Sequence, residues 1–414
     1  MRLPIELEVA SSGYGRQREA RLILLLIVSL GLAASCKKEH KTLTVLPIAS
    51  PVSGAGTEPN LSLAADGRLL LSWVEPATGG GKALRFSTLS GSSWSTPKTV
   101  YAGSTREDSP SEGPLVVEAP DHRFYAAWTQ VSISTKAAYK EDIFTSSSMD
   151  GGQVWSAPRP VNLDHTTSEH GYLSLAAGPD GNPNLLWLDG REDAEKHRYH
   201  LMSAALNPAS SVEQILDDDV CTCCPTAMVA TPHGLVAAYR DHQAGEIRDI
   251  SVIRSVGGKW LEPQPVSHDG WRINGCPTNG PALAAHGSQV ALAWFTAAND
   301  QPALKVSVSA DEGATWSAPV MVSAEAPLGR AAVAFLSDGS VVVLWVESGK
   351  EASQLLTRRV GTDGHLDPLR SLSTAGVHGR PRAFAVGDHI LATWAEGESA
   401  PALKTAFIAL TSSP

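Results

Sequence analysis

The sequence is poor in charged residues and has no cluster of basic ones. Only 18% of its 414 residues are charged, and the 33 Lys and Arg are spread along a chain of net charge −10. Because nucleic acids are captured by a basic patch or stripe, this distribution excludes a nucleic-acid partner. Gly, Pro and Trp are plentiful instead, at 36, 27 and 11 residues. This composition is typical of many short strands joined by tight turns, and it predicts an all-β protein.

The N-terminal segment has the features of an export signal. Three arginines precede the apolar run LILLLIVSLGL at 22–32, which is too short to span a bilayer comfortably, and small residues then lead to Cys36. A transmembrane anchor is the alternative. The stretch LAASC resembles a bacterial lipobox, which implies cleavage before Cys36 and acylation of its thiol.

The chain therefore divides into three predicted parts. They are a lipoprotein-type signal peptide at 1–35, a hydrated tether at 36–42 and a soluble body at 43–414. We expect the body to be held by its lipid at a membrane surface of the bacterial cell envelope, with no other membrane contact.

The body repeats one apolar strand with an aromatic residue near its end. The aromatic residues are spaced 49 to 59 residues apart, and they are Trp73, Trp128, Trp187, Tyr239, Trp294, Trp345 and Trp394. A recurrence of about fifty residues, with several short strands in each unit, is typical of a β-propeller. An array of unrelated domains would not repeat one aromatic position.

Four predicted antiparallel strands per unit form one propeller blade. The last unit has only three strands of its own, and the unpaired strand TLTVLPIA at 43–50 can supply the fourth. Closing the ring in this way removes the exposed sheet edges of an open array. Seven blades are predicted, with six as the alternative if one unit is misassigned.

A turn of the pattern S-x-D-x-G-x-x-W occurs at 148–155 and 309–316, between the third and fourth strands of two units. Weaker versions occupy the same place at 90–97, 255–263 and 360–368. The Asp can accept backbone N–H groups, the Gly supplies an unusual dihedral and the Trp packs the turn onto the blade. The pattern resembles the Asp box, or BNR repeat, of the sialidase and neuraminidase superfamily. The resemblance covers residues 43–411 and implies an active site on the opposite face of the propeller.

Charged residues concentrate in the loops expected at that opposite face, above all in units three to five. Arginine suits a carboxylate ligand because its planar fork donates two parallel hydrogen bonds. The candidate ligand-binding residues are Arg191, Arg240, Arg248, Arg272, Arg330, Arg382 and His170. The alternative is that these loops are polar because they are exposed to solvent, with their charges in structural salt bridges.

The catalytic apparatus implied by the resemblance is incomplete. Sialidases use a late Tyr nucleophile helped by a Glu, and this sequence has no Tyr after Tyr239 and no Phe/Tyr-Arg-Ile-Pro motif. Hydrolysis by two carboxylates stays open, because a glycosidase needs an acid and a base or nucleophile on opposite sides of the bond. The candidate catalytic residues are Asp189, Glu192, Asp241 and Asp249.

Four cysteines follow Cys36, in the related stretches VCTCCPT at 220–226 and NGCPTNGP at 274–281. They are Cys221, Cys223, Cys224 and Cys276. In an exported protein a disulfide from Cys221 or Cys223 to Cys276 would pin two blades together. The alternative is a soft-metal or redox site, because thiolates suit Cu(I) or Zn(II).

These observations predict a lipid-anchored, monomeric propeller that binds an anionic or polyhydroxylated ligand, foremost a glycan, and needs no cofactor. Whether it is an enzyme stays open between a glycoside hydrolase of sialidase-like type and a non-catalytic binding or envelope-assembly propeller. A thiol or metal site at the Cys-rich rim is a third hypothesis.

Overall fold

The computed structural model describes residues 41–105, 110, 113–134, 139–193, 198–206, 212–323, 325–398 and 400–412. The predicted signal peptide, Cys36 and most of the predicted tether lie outside the described residues, so export and acylation stay predictions. No helix within these ranges is long and apolar enough to cross a membrane.

The described residues form seven antiparallel sheets, and each sheet is one blade. Blade one comprises β2 (Thr57–Leu63), β3 (Leu69–Pro76), β4 (Lys82–Ser90), β5 (Ser93–Trp94) and β6 (Lys98–Ala102). Blade two comprises β7 (Leu115–Glu118), β8 (Phe124–Ser134), β9 (Tyr139–Ser148) and β10 (Arg159–Pro160). Blade three comprises β11 (His170–Ala177), β12 (Pro183–Glu192), β13 (Arg198–Ala205) and β14 (Gln214–Val220).

The remaining four blades follow in chain order. Blade four comprises β15 (Ala227–Thr231), β16 (Gly234–Arg240), β17 (Ile250–Val256), β18 (Lys259–Trp260) and β19 (Gln264–Pro265). Blade five comprises β20 (Ala282–His286), β21 (Gln289–Thr296), a short 3₁₀ helix (Ala298–Asp300), β22 (Ala303–Ser309) and β23 (Val320–Met321). Blade six comprises β24 (Pro327–Phe335), β25 (Val341–Glu347), β26 (Gln354–Val360) and β27 (Arg370–Ser373). Blade seven comprises β28 (Val377–Val386), β29 (His389–Glu396), β30 (Ala402–Ser412) and β1 (Lys41–Ile48).

The first strand of the chain closes the last blade, as the sequence predicts. β1 pairs antiparallel with β30 over eight residue pairs, from Lys41 with Ser412 to Ile48 with Thr405. Pairing begins at Lys41, so the last two residues of the predicted tether belong to the blade.

The hydrophobic core consists of seven clusters, each between two consecutive blades of the described chain. One of them packs Leu69 and Trp73 of blade one against Leu391 and Leu403 of blade seven. Because the last blade packs on the first, the seven sheets form a closed ring, and six blades are excluded.

The second strand of each blade is buried on both faces, which explains its continuous apolar sequence. In β25, for example, all seven residues of VVVLWVE are buried. The recurring aromatic residues of these strands are all buried, as predicted, with 6% exposure at Trp394 as the largest value. The repeat in the sequence is therefore a repeat of core packing.

The S-x-D-x-G-x-x-W turns pack each blade onto the blade before it. In the first copy, Asp150 Oδ1 accepts the backbone N–H groups of Gln153 and Val154, both at 3.0 Å. Gly152 has φ +78°, and a Cβ there would lie 2.4 Å from the ring of Phe86 in blade one. Trp155 meets the same ring edge-on, at 6.1 Å between centroids. Only glycine fits at this position, because it needs both the left-handed backbone and the close approach.

Candidate functional site

The chain topology places the predicted site segments on one face of the propeller. In a four-stranded antiparallel blade, the end of the second strand and the start of the third share a face with the segment that enters from the previous blade. The segments 221–224, 241–249 and 269–276 therefore lie at one face, which we call the mouth. The turns that contain Trp155 and Trp316 lie at the opposite face.

The innermost strands of all seven blades line a central channel. The part of the channel nearer the mouth has a cavity volume of about 140 Å³. In each blade, one first-strand residue of the lining pairs with the second-strand residue just before the recurring aromatic. These seven residues form one layer of the channel wall, and they are Asn60, Leu115, Ser174, Ala227, Ala282, Ala332 and Arg382. Arg382 is the charged member of this layer, and five of the other six have small side chains or a short amide.

The guanidinium of Arg382 has no hydrogen-bond acceptor among the described residues, and its Nε is buried. Burial and the neighbouring positive charge of Arg380 lower the pKa of Arg382 to about 9, although the charge of Glu58 acts in the opposite direction. A guanidinium is costly to hold in a confined space without a counter-charge. The channel at this point is therefore electrostatically suited to an anion.

Strained backbone surrounds the mouth end of the same layer. The pairing of the first strand is interrupted by a β-bulge in blades one, three, six and seven. In three of these bulges a non-glycine residue has a left-handed conformation, with φ +51° at Glu58, +58° at Tyr172 and +53° at Arg330. Such outliers persist where the surrounding structure enforces them and are typical of functional sites.

Arg330 is held at the mouth through its backbone. Its N–H donates to Asn279 Oδ1 at 2.9 Å, while its half-buried guanidinium has no partner among the described residues. Arg330 and Arg382 are thus the two predicted ligand-binding arginines that the structure leaves unpaired, and both belong to blades six and seven. The sequence pattern had placed the centre of the site in units three to five instead.

Asp189 and Arg191 form a buried pair. Asp189 is fully buried, and its two oxygens accept from Arg191 Nε at 2.8 Å, from Arg191 Nη2 at 2.7 Å and from Trp187 Nε1 at 2.9 Å. Arg191 Nη2 also contacts Glu213 at 3.0 Å. These bonds use the carboxylate and the guanidinium within blade three, and the catalytic role of Asp189 and the ligand-binding role of Arg191 stay predictions.

His170 is likewise part of the packing between blades two and three, and its ligand-binding role stays a prediction. It is fully buried, with Nδ1 donating to the Glu141 carbonyl at 2.8 Å and Nε2 lying 3.1 Å from Asp164 and 3.6 Å from Asp189. Burial alone would lower the pKa of His170, but the hydrogen bond to Asp164 and the charges of both carboxylates raise it. The same bond lowers the pKa of Asp164 against the opposing effect of burial.

Arg240 joins blades four and five and does not face the channel. It is 1% exposed and donates hydrogen bonds to three backbone carbonyls, those of Arg248, Asn279 and Phe295. The ring of Trp271 covers it, 4.7 Å from Cζ to the centroid. The guanidinium thus has its acceptors within the protein, and the ligand-binding role of Arg240 stays a prediction.

Asp249 supports the same junction. Its oxygens accept the backbone N–H groups of Gly270 at 2.8 Å and of Trp271 at 3.0 Å, and it is 5% exposed. These bonds position the segment that carries Trp271, and the catalytic role of Asp249 stays a prediction.

The other predicted residues of this region lie nearer to solvent. Asp241 accepts from Gln243 and Ser251, both at 3.0 Å, and is half-buried. Glu192 is half-buried and lies 3.5 Å from His200 Nε2. Arg272 is exposed and donates to the Gly245 carbonyl at 2.9 Å. Glu192 and Asp241 are the two predicted catalytic carboxylates with access to solvent.

The four predicted thiols converge at the rim of the mouth. The sulfur atoms of Cys221, Cys223 and Cys224 lie within 4.8 Å of one another, all three residues are buried, and the Cys221–Cys224 separation is 3.5 Å. Cys276, from the segment between blades four and five, is exposed, and its thiol interacts with that of Cys223. None of these four thiols is bonded to another.

The electrostatic surroundings of the thiols are cationic. Hydrogen bonds from the thiols of Cys223 and Cys224, together with the charge of Arg248, hold the pKa of Cys221 well below its ordinary value. Burial and the hydrogen bond with Cys221 raise the pKa of Cys224, and the charge of Arg240 acts in the opposite direction. Cys221 and Cys224 are three residues apart, a C-x-x-C spacing that the sequence-based prediction of a joint site did not use.

A tyrosine–glutamate pair next to the thiols was missed because Tyr199 lies inside a strand. Its hydroxyl donates to Glu169 Oε2 at 3.4 Å. Burial and the charge of Glu169 raise the pKa of Tyr199, and burial also raises that of Glu169. A raised phenol pKa disfavours the phenolate, so this pair is poorly suited to nucleophilic catalysis.

No family model and no curated protein matches the chain. Solved structures match over most of its length. A Dyadobacter fermentans protein of unknown function gives a TM-score of 0.51 at 13% identity, with 89% of this chain and 99% of that chain covered. A fungal alcohol oxidase in complex with copper gives 0.50 at 11% identity, with 90% and 76% covered. The NanB sialidase of Streptococcus pneumoniae gives 0.45 at 13% identity, with 87% and 69% covered.

These similarities concern the fold. The seven blades confirm the β-propeller architecture predicted from the sequence, and the solved structures agree with this fold alone. At 11–13% identity they carry no activity across to this chain, so function must be argued from its own residues.

Proposed function

We propose that the protein is a binding propeller that takes an anionic, polyhydroxylated ligand, foremost an acidic glycan, at the mouth of its central channel. The observation that carries the proposal is Arg382, a guanidinium in the channel wall without an acceptor among the described residues. An acidic ligand group supplies the missing acceptors and a counter-charge in addition to that of Glu58.

The surroundings of Arg382 support a ligand that combines an acid with hydroxyl groups. The small side chains of Ala227, Ala282 and Ala332 in its layer leave space for a ligand beside the guanidinium. Asn60 and Ser174 add an amide and a hydroxyl to the same layer. Arg330 at the mouth provides a second unpaired guanidinium for an acidic group. The resemblance of the turns to the Asp box agrees with a glycan ligand.

Binding without hydrolysis is the favoured form of the proposal. Asp189 and Asp249 are buried and use their oxygens for internal hydrogen bonds. A glycosidase would therefore have to rely on Glu192 and Asp241 as its pair of carboxylates. Turnover of a fluorogenic glycoside that is lost in Asp241→Asn would overturn the non-catalytic form while leaving the binding site in place.

The binding proposal is tested by an array of acidic and neutral glycans, followed by calorimetry with the best ligand. Arg382→Met should weaken binding of the acidic ligand about 10- to 100-fold, because one hydrogen-bonded charge contributes about 1.5 to 3 kcal/mol. Arg370→Met is the matched control, since Arg370 is exposed on the outer strand β27 and should leave affinity unchanged. Equal affinity of Arg382→Met and wild type would refute the site.

Export and lipid anchoring are part of the same proposal and rest on the N-terminal sequence. Mass spectrometry of the membrane fraction should find an acylated N-terminal Cys36 and no residues before it. Cys36→Ser should leave the chain unprocessed. An unmodified Cys36 in a chain that retains residues 1–35 would instead support the transmembrane anchor.

A further inference from the structure

Of the seven clusters between blades of the described chain, the one between blades four and five is the smallest. It contains five buried residues, with Trp294 as the largest, whereas the cluster between blades two and three contains thirteen. Arg240 and Asp249 replace apolar contacts at this junction with polar ones. The segments that carry the thiols flank blade four on both sides, since Cys221–Cys224 precede it and Cys276 follows it.

The spacing of the buried sulfur atoms matches a shared metal ion. With metal–sulfur bonds of about 2.3 Å and tetrahedral angles, two thiolate sulfurs are separated by about 3.8 Å. Cys221 Sγ and Cys224 Sγ are 3.5 Å apart, and the sulfur of Cys223 lies within 4.8 Å of both. A disulfide requires about 2.05 Å, and one disulfide would leave an odd buried thiol in this group.

A fourth sulfur is available from the neighbouring segment. The Cys276 thiol interacts with that of Cys223, and its Sγ lies 3.7 Å from Thr222 Oγ1 within the loop of the other three. Cys276 is exposed while the other three are buried. The cluster therefore has one side open to solvent, through which an ion can enter.

The surroundings compensate the negative charge of a thiolate–metal cluster. Arg248 is 9% exposed and interacts with Cys221, and the charge of Arg240 acts on Cys224. Tyr172 packs against the three buried thiols and limits access of water. Outer groups of this kind tune and protect metal–thiolate sites.

Histidine does not complete the site. His170 contacts Asp164 and Asp189, and His242 Nδ1 contacts Asp219 at 2.8 Å. The ligand set is thus made of sulfur alone. Sulfur ligands select soft ions and disfavour Mg²⁺, Ca²⁺ and Mn²⁺.

We infer that Cys221, Cys223 and Cys224 bind one soft d¹⁰ metal ion, Cu(I) or Zn(II), with Cys276 as the fourth ligand. The ion displaces the thiol protons and joins the segments on the two sides of blade four. This site is distinct from the proposed ligand site at Arg382, so either can fail without the other.

The first test is the metal content of the full-length protein, purified under reducing, anaerobic conditions. We expect one ion per chain by mass spectrometry of the elements, and competition with a Cu(I) chelator or a Zn(II) chelator identifies which ion it is. Co(II) added to the metal-free protein should produce thiolate-to-cobalt absorption. Four titratable thiols in the cluster with no bound ion, or two disulfides in peptide mass spectra, would overturn the inference.

Variants separate the ligands from the other cysteine of the chain. Cys36→Ser changes a cysteine outside the cluster, one whose thiol would be blocked by the proposed acylation, and should retain the full metal content. Cys276→Ser should weaken metal binding at least about 10-fold, whereas Cys224→Ser should abolish it. Because Cys224 is buried and its variant can fail to fold, the exposed Cys276 provides the decisive comparison. Unchanged metal affinity in Cys276→Ser would exclude it as the fourth ligand.

Discussion

Replacement of Arg240 by Met tests whether this arginine joins two blades or binds ligand. Met is apolar and of similar length, so it fills the space but donates no hydrogen bonds. The buried carbonyl oxygens of Arg248 and Asn279 and the partly buried one of Phe295 then lose their donor. The variant should therefore lose stability and keep its ligand affinity.

The size of the loss follows from the contacts. Each buried acceptor without a partner costs about 1 to 3 kcal/mol, so three acceptors cost at least about 3 kcal/mol. Loss of the contact between Arg240 and the Trp271 ring adds about 1 kcal/mol. Removing a buried positive charge relieves a desolvation cost and acts in the opposite direction. We expect a net loss of about 3 kcal/mol in the free energy of unfolding.

The assay is urea unfolding of the full-length protein followed by tryptophan fluorescence, with Arg272→Met as the matched control. Arg272 lies in the same region but is exposed, so its variant should remain within about 0.5 kcal/mol of wild type. A loss below about 1 kcal/mol in Arg240→Met would refute the structural role. If ligand affinity fell at the same time, the ligand-binding role expected from the sequence would be restored.

Three further substitutions test other parts of the argument. Arg382→Met should raise the free energy of unfolding of the ligand-free protein at pH 7 by about 1 to 2 kcal/mol in the same urea assay. Burial lowers the pKa of Arg382 to about 9, so the charged guanidinium destabilises the folded protein at every pH below that value, and solvent exposure in the channel reduces this cost. A lower stability of the variant would contradict the lack of a partner for Arg382. For His170, the raised pKa adds stability that is complete below pH 6.5 and is lost as the pH rises through the folded-state pKa. Between pH 6 and alkaline pH, wild type should accordingly lose more free energy of unfolding than His170→Gln. An equal loss in the two proteins would disprove the charged pair of His170 and Asp164. Asp311→Ala should lower stability by about 1 to 2 kcal/mol with unchanged ligand affinity, because Asp311 accepts the Thr315 N–H and hydroxyl at the face opposite the mouth; a change in affinity would show that the two faces are coupled.

The fold could be predicted because its determinants are local and repeated. Each second strand is a continuous apolar run because it is buried between two neighbouring blades, and its aromatic residue marks the unit. The closing strand was predicted because the last unit has only three strands and lacks a fourth to pair with the strand that contains Thr405. None of these inferences needs knowledge of which residues far apart in the chain meet.

The site could be predicted only in part, because a loop arginine looks the same in sequence whether it is buried or free. Arg240 is buried by acceptors 39 and 55 residues further along the chain. Their orientation depends on how blade five packs on blade four. Arg382, in contrast, could have been singled out by aligning the first strands of the units, since an arginine stands there where other blades have Ala227 or Ala332.

The recurring tryptophan explains why acidic residues at the mouth are a poor guide to catalysis. The Nε1 groups of Trp73, Trp187 and Trp345 each donate to the acidic residue two positions later, at 2.6 to 2.9 Å. A buried indole N–H requires an acceptor, so the repeat itself places a carboxylate at the end of the second strand. Asp189 is one of these carboxylates, and its position therefore follows from core packing. Arginine has no such repeated task in this fold, and an unpaired one in the channel, as at Arg382, is the stronger indication of a ligand.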